Sequence, residues 1–174
     1  MKNYFLITIV MAFLVCSVTA QTAGELTVNV TTSPAGGNYS PRNVLAIWIE
    51  DNEGNFVKTL LAYAQSRKTH LNNWQASTTA AGSAYNTVDA ITGATKSNHS
   101  TRTCYWNATN VSGENVDDGT YKLWMELTDK NSTGNYSSFS FNIGEEEQTI
   151  TPSNVPSFES ISIIWSPTST DIPQ

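Results

Sequence analysis

The sequence predicts an all-β sandwich of about seven to eight short strands, with one long crossover that contains a short helix. Three observations support this class. Apolar and polar residues alternate in most segments, which is typical of half-buried strands. Clusters of Gly, Asn, Asp and Ser separate these segments at short intervals, as they do in sandwiches. Only the stretch from residue 62 to residue 86 lacks the alternation.

The N-terminal residues predict a secretory signal peptide. Lys2 precedes a continuous apolar run, and the small residue Ala20 stands at the expected cleavage position. The run is too short and wrongly flanked for a transmembrane helix. We therefore expect residues 1–20 to be removed and residues 21–174 to form a single domain, periplasmic or secreted, without membrane insertion. Lipidation of Cys16 is the minor alternative, because the bulky Val15 before it makes a poor lipidation site.

Net charge and cysteine content exclude some classes of partner and of chemistry. The formal net charge is -6, and loss of Lys2 with the signal peptide makes the mature chain more negative. This negative net charge argues against nucleic acid and anionic membranes as partners. Only Cys104 remains after cleavage, so no disulfide framework is expected. Since Cys104 lies beside Tyr105 and Trp106 in a predicted strand, we expect it to be buried packing and not a nucleophile.

The first half of the domain predicts two strands joined by a hairpin, preceded by an alternating strand at Leu26, Val28 and Val30. VLAIWIE and FVKTL flank the turn DNEGN, where Gly54 takes the position that requires a positive φ. The crossover follows, and in it Leu71 and Trp74 share one face of a helical turn.

The second half predicts a strand at TRTCYW that ends in a buried Trp106, a turn-rich loop at residues 107–118, and a return strand at YKLWMELTD. The order of residue types predicts that these two strands form a hairpin with a long loop. YSSFSFNIG then runs back, EEEQTITPSNVP is a polar loop, and FESISIIW is the last strand. The face of YKLWMELTD that points inward comprises Tyr121, Leu123, Met125 and Leu127.

Three segments together carry a family resemblance: IWIEDNEGNFVKTL, then DAITGAT with CYWNATNVSGENVDDGTYKLWMELTD, then FESISIIW. They resemble a bacterial periplasmic family classified as domain of unknown function 2271, related in fold to the Ig-like domain of the flagellar hook-capping protein. The run from Trp106 to Tyr121 is the part shared with that Ig-like fold. The resemblance implies an Ig-like β-sandwich and leaves the function open. One departure is visible, because such domains often carry Trp-Asp-Gly where this chain has Trp106, Asn107 and Ala108.

Residues 89–95, DAITGAT, resemble a second pattern, the flavin-attachment signature of membrane-linked redox subunits. That signature is Asp, two small or apolar residues, Ser or Thr, then Gly, Ala and Thr. In those subunits an FMN transferase of the ApbE type joins FMN to the threonine hydroxyl through a phosphoester. The resemblance implies covalent FMN on Thr95, with an FMN transferase and a membrane redox protein as partners. Every position is filled, by Asp89, Ala90, Ile91, Thr92, Gly93, Ala94 and Thr95.

The chemistry of such a site suits these residue types. The acceptor hydroxyl has to be exposed, and the small Gly93 and Ala94 allow an enzyme to close over it. Asp89 could hold the loop or bind a metal at the transferase. Trp74, Tyr85, Tyr105 and Trp106 are the aromatic candidates for stacking on the flavin ring. An ordinary turn is the alternative, because Thr-Gly is common in turns and Asp89 can cap a turn through its own backbone.

Other sites have weaker support. His70 and His99 lack the spacing of metal ligands. DNEGN faintly resembles a calcium loop, but the downstream bidentate Glu is missing. No nucleophile elbow or triad signature is present, so we expect no catalysis. Sequons at Asn38, Asn98, Asn107, Asn110, Asn131 and Asn135 indicate polar loops.

Two functional hypotheses follow. The first is an exported, non-catalytic Ig-like module that binds or assembles with an unknown extracytoplasmic protein. The second is an extracytoplasmic electron-transfer protein with covalent FMN on Thr95.

Overall fold

The computed structural model describes residues 19–168, so most of the predicted signal peptide lies outside the described residues. Within this range the chain forms nine strands, a 3-10 turn at Lys68–His70 and one helix, α1, at Asn72–Ala80. The strands are β1 Gly24–Thr32, β2 Val44–Asp51, β3 Phe56–Tyr63, β4 Ile91–Gly93, β5 Thr101–Trp106, β6 Gly119–Thr128, β7 Asn135–Ile143, β8 Gln148–Ile150 and β9 Phe158–Pro167.

The strands form two sheets, which confirms the predicted all-β sandwich. One sheet has the order β5-β1-β9-β8 and the other has the order β4-β3-β2-β6-β7. Most neighbouring strands are antiparallel, and β4 alone pairs in parallel among the described strands. The two strands beyond the predicted set, β4 and β8, have three residues each.

The core lies between the sheets and follows the predicted alternation. Leu26, Val28 and Val30 of β1 are fully buried, as are Leu123 and Met125 of β6. Each of these residues points inward because successive side chains of a strand alternate between its two faces. Cys104 is likewise fully buried in this core, as predicted, and burial raises the pKa of its thiol to about 12.

The predicted hairpin between β2 and β3 is confirmed. Gly54 has a φ of 89°, a conformation that glycine adopts without steric cost. The carboxylate of Asp51 accepts hydrogen bonds from the main-chain N–H and the side-chain amide of Asn55, both at 2.8 Å. Because its oxygens are used inside the turn, Asp51 acts here as a turn residue.

The predicted hairpin between β5 and β6 is wrong. These strands lie in different sheets, so residues 107–118 cross from one sheet to the other. The reason is that Trp106 and Tyr121 face each other through the core, with ring centroids 5.6 Å apart, instead of pairing side by side. The Tyr121 hydroxyl donates to the Asp117 carbonyl at 2.6 Å, a tyrosine-corner arrangement that is known from Ig-like sandwiches.

Helix α1 covers the outer face of the five-stranded sheet. Leu71 and Trp74, the two residues predicted to share a helical face, are buried against Val44, Ala46 and Trp48. The buried carboxylate of Glu126 accepts hydrogen bonds from the Asn73 and Trp74 N–H groups at 3.2 and 2.9 Å. A side chain of β6 therefore caps the N-terminus of the helix and fixes it on the sheet.

Candidate functional site

The DAITGAT motif forms the outer edge of the five-stranded sheet. Its middle, Ile91–Gly93, is β4 and pairs in parallel with residues 61–63 of β3. Thr95 follows two residues later in the loop that leads to β5, and it is half-buried, whereas Thr92 and Ala94 are exposed. The motif is therefore a short edge strand with its last threonine in the adjoining loop, not a simple turn between two strands.

Asp89 anchors the start of the motif. Its carboxylate lies 3.3 Å from Nζ of the buried Lys58, the one ion pair in the part of the chain that the structure describes. The same Nζ donates to the Thr109 hydroxyl at 3.1 Å and to the Asn110 carbonyl at 3.3 Å. The Asp89 side chain is 71% exposed, so the pair contributes little to stability. Its effect is to tie the motif to the 107–118 crossover.

Hydrogen bonds also hold the chain on the other side of Thr95. The N–H groups of Asn43 and Lys96 each donate to the carbonyl of the other, at 3.0 Å. Nζ of Lys96 lies 3.6 Å from the centre of the Tyr63 ring. A Cβ at Gly93 would come within 3.0 Å of that ring, so this position has to be glycine or be repacked. Thr95 thus lies in a short segment of chain that is fixed at both ends.

Thr95 lines a cavity of about 220 Å³ at one end of the sandwich. Three cationic side chains line the same cavity: Arg42, Arg67 and Lys130. They precede β2, follow β3 and follow β6, and they converge because these strand ends meet at one end of an antiparallel sheet. Tyr39 forms part of the wall, with the Arg67 guanidinium 4.5 Å from its ring centre.

Positive charge is concentrated at this end of an otherwise acidic protein. None of the cations here forms an ion pair with another residue of the 19–168 range. One carboxylate, that of the buried Asp129, also lines the cavity, and it accepts hydrogen bonds from the N–H groups of Ala35 and Gly37 at 3.0 and 2.8 Å. Of the eight Lys and Arg residues in the described range, six lie at or beside this end, namely Arg42, Arg67, Lys68, Lys96, Arg102 and Lys130.

A second cavity, of about 300 Å³, lies next to the first, between β3, β4 and α1. Trp74 and Tyr85 line it, together with Thr92 and Gly93 of the motif. The two rings meet edge to face, with centroids 5.4 Å apart. Two of the four aromatic residues suggested by the sequence as stacking partners therefore lie at the motif, but Trp74 is 1% exposed and only Tyr85 is half-buried.

The other two aromatic candidates lie elsewhere. Tyr105 and Trp106 line a groove with Lys58 and Asp89, at the start of the motif and away from the cavity that contains Thr95. Tyr105 is 54% exposed, whereas Trp106 is 2% exposed and belongs to the core. Trp106 is therefore unable to stack on a ligand without unpacking the sandwich.

No sequence motif indicated the cations of the Thr95 cavity. Arg42, Arg67 and Lys130 are far apart along the chain, and each looks like an ordinary loop residue. The available signal was that each stands next to the end of a strand, and that these ends meet once the sheet order is known.

For metals, no group of three or more His, Cys, Asp or Glu residues within 19–168 is arranged to hold an ion.

Comparison with known families identifies the chain's relatives. The family model described as "Predicted periplasmic protein (DUF2271)" matches residues 25–155, from β1 to the loop before β9. The chain belongs to this family. Its description states a location and no activity, and the predicted relation in fold to the hook-capping Ig-like domain stays a prediction. No curated protein matches the chain, and no solved structure matches it.

The family description agrees with the predicted location. Its members are described as periplasmic, which is one of the two locations expected from the predicted signal peptide. Within residues 19–168 no helix has the length and apolar character needed to cross a membrane.

Proposed function

We propose that the protein is a periplasmic electron carrier that bears FMN as a phosphoester on Thr95. One observation carries the proposal: the last hydroxyl of a segment that resembles a complete flavin-attachment motif lines a cavity shared with three cationic side chains, Arg42, Arg67 and Lys130. In a chain with a net charge of -6, such a concentration of unpaired cations indicates an anionic ligand.

The residues present fit the phosphate of FMN. A phosphodiester keeps one negative charge, and the forked guanidinium groups of Arg42 and Arg67 are suited to pair with its two free oxygens. Lys130 would add a point charge from the β6–β7 turn. Thr95 is half-buried, and the small side chains of the flanking Gly93 and Ala94 would favour the approach of a modifying enzyme.

Attachment is a group transfer that an FMN transferase performs. A bond forms between Oγ1 of Thr95 and the phosphorus on the FMN side of a flavin dinucleotide. The diphosphate bond breaks, the nucleoside monophosphate leaves, and the hydroxyl proton passes to a base or to solvent. No electrons are exchanged in this step. Asp89 and Lys96 contribute by holding the two ends of the segment that presents Thr95.

Bound FMN would supply the ability to accept and release electrons. In this role the protein itself is non-catalytic. The sandwich holds the carrier in the periplasm, and a membrane redox protein would exchange electrons with it.

The test is the intact mass of the exported protein after co-expression with an FMN transferase. Wild type is expected to gain the mass of one FMN less one water, and its yellow colour is expected to survive denaturation. Thr95→Val removes the hydroxyl and keeps the shape, so it should abolish the gain while the fold survives. Thr92→Val is the matched control, and it should lower the yield at most. A wild-type protein that gains no mass beside an active transferase would reject the carrier function.

A second function, a module that binds an acidic protein partner, is favoured by the six cations at the Thr95 end of the sandwich. None of them has a carboxylate partner within residues 19–168. Their attraction for an acidic surface would weaken with salt, because exposed charges are screened. Polyglutamate is a suitable probe, and its binding should fall in high salt and in Arg42→Ser. This function predicts the same binding in Thr95→Val and no flavin mass, which separates it from the carrier function.

A further inference from the structure

The cavity between β3, β4 and α1 has the composition of a site for a planar aromatic ring system. Its interior is formed by Trp74, Tyr85, Ala62 and Ala64. A volume of about 300 Å³ stands at the small end of the range of ligand pockets, about 300–1,000 Å³. We infer that this cavity receives the isoalloxazine ring of the flavin on Thr95, an inference that rests on the proposed function.

The rim of the cavity provides the polar groups that the flavin ring needs. An isoalloxazine has an apolar dimethylbenzene end and a pyrimidine end that carries carbonyl and N–H groups. Gln65, Thr87 and Thr92 offer hydrogen-bonding side chains along the rim. The Tyr85 hydroxyl is buried without a hydrogen-bond partner among the described residues, which is uncommon for a polar atom.

A positive charge stands at the same cavity. Nζ of Lys68 lies 4.7 Å from the centre of the Tyr85 ring. A cation near the pyrimidine end of a flavin favours the reduced form, which carries more negative charge there. Lys68 would therefore act as a positioning and tuning residue for the ring.

The tether between the two cavities is short. Gly93 lines the aromatic cavity and Thr95 lines the cationic one, so their Cα atoms are at most about 7 Å apart. The ribityl chain that links the phosphate of FMN to its ring contains five carbons and spans a comparable distance. Ala94, the one residue between them in the sequence, has a short side chain.

The test is flavin fluorescence of the FMN-bearing protein, with intact mass measured on every sample. Contact with the half-buried Tyr85 should quench the flavin several-fold relative to the flavinyl peptide that proteolysis releases. Tyr85→Leu should restore much of the fluorescence without changing the mass gain. Tyr105→Leu, on the opposite sheet, is the control and should leave the fluorescence unchanged. Lys68→Met should shift the reduction potential to a more negative value, whereas Lys122→Met should not.

The outcomes separate this inference from the function on which it rests. Absence of the mass gain in wild type would overturn both. A protein with the full mass gain whose flavin is as fluorescent as the released peptide would overturn the ring assignment alone. Recovery of fluorescence in Tyr39→Leu in place of Tyr85→Leu would put the ring in the cationic cavity and would also overturn it.

Discussion

Replacement of Trp106 by alanine tests how strongly one ring at the sheet-to-sheet contact stabilises the sandwich. The ring is 2% exposed and packs edge to face against Tyr121 and Phe141, with centroid distances of 5.6 and 6.2 Å. Its indole N–H donates to the Thr109 carbonyl at 2.7 Å, so the ring also fixes the loop after β5.

The expected loss follows from the contacts of the ring. A buried tryptophan removes roughly 200 Å² from water, which at about 25 cal/mol per Å² corresponds to about 5 kcal/mol. Measured truncations of large core residues cost about 3–5 kcal/mol, since part of the cavity collapses. The lost hydrogen bond to Thr109, worth about 1 kcal/mol, is counted within this range. We therefore expect Trp106→Ala to lower the free energy of unfolding by about 4 kcal/mol.

Urea unfolding followed by circular dichroism measures this loss, provided that the slope of the transition is unchanged. Tyr105→Ala is the matched control, because Tyr105 is the preceding residue of the same strand and is 54% exposed. It should cost less than about 1 kcal/mol. Trp106→Phe keeps most of the apolar contact and loses the N–H, so it should fall between the two. A loss below about 1 kcal/mol for Trp106→Ala would refute the assignment of the ring to the core.

Three further predictions concern other parts of the chain. Since burial raises the pKa of Cys104 to about 12, the thiol should resist iodoacetamide at neutral pH and react in urea; labelling of the folded protein would contradict this. Burial raises the pKa of Glu126, so the folded state binds its proton more tightly than the unfolded state does. The free energy of unfolding of wild type, measured relative to that of Glu126→Gln, should therefore decrease as the pH rises from the pKa of Glu126 in the unfolded state through its pKa in the folded state. An increase over this range would contradict the raised pKa of Glu126. Signal cleavage after Ala20 should leave Gln21 as the first residue, whereas a diacylated Cys16 at the N-terminus of the exported protein would disprove it.

Features that depend on local chemistry could be predicted from the sequence. The turn at Gly54 follows from one residue type that tolerates a positive φ. The face shared by Leu71 and Trp74 follows from helical spacing, and the burial of Cys104 follows from strand alternation.

Features that depend on sheet order could not be predicted. β4 and β8 are three residues long, which is too short for periodicity to reveal, and β4 is a strand only because β3 lies beside it. The cavity at Thr95 requires side chains from three loops that are distant in sequence. The prediction of a hairpin between β5 and β6 was wrong because turn residues indicate where a chain reverses and do not specify which sheet it joins next.

The place of the motif at the sheet edge has a consequence for solubility. An unpaired edge beside an apolar run is a template for pairing with other chains. Residues 56–63 of β3 read FVKTLLAY, and β4 covers the main chain of residues 61–63. Substitutions that detach β4 would open that edge, and the first sign of damage to the motif would then be aggregation. Variants of this segment should for that reason be compared as soluble monomers.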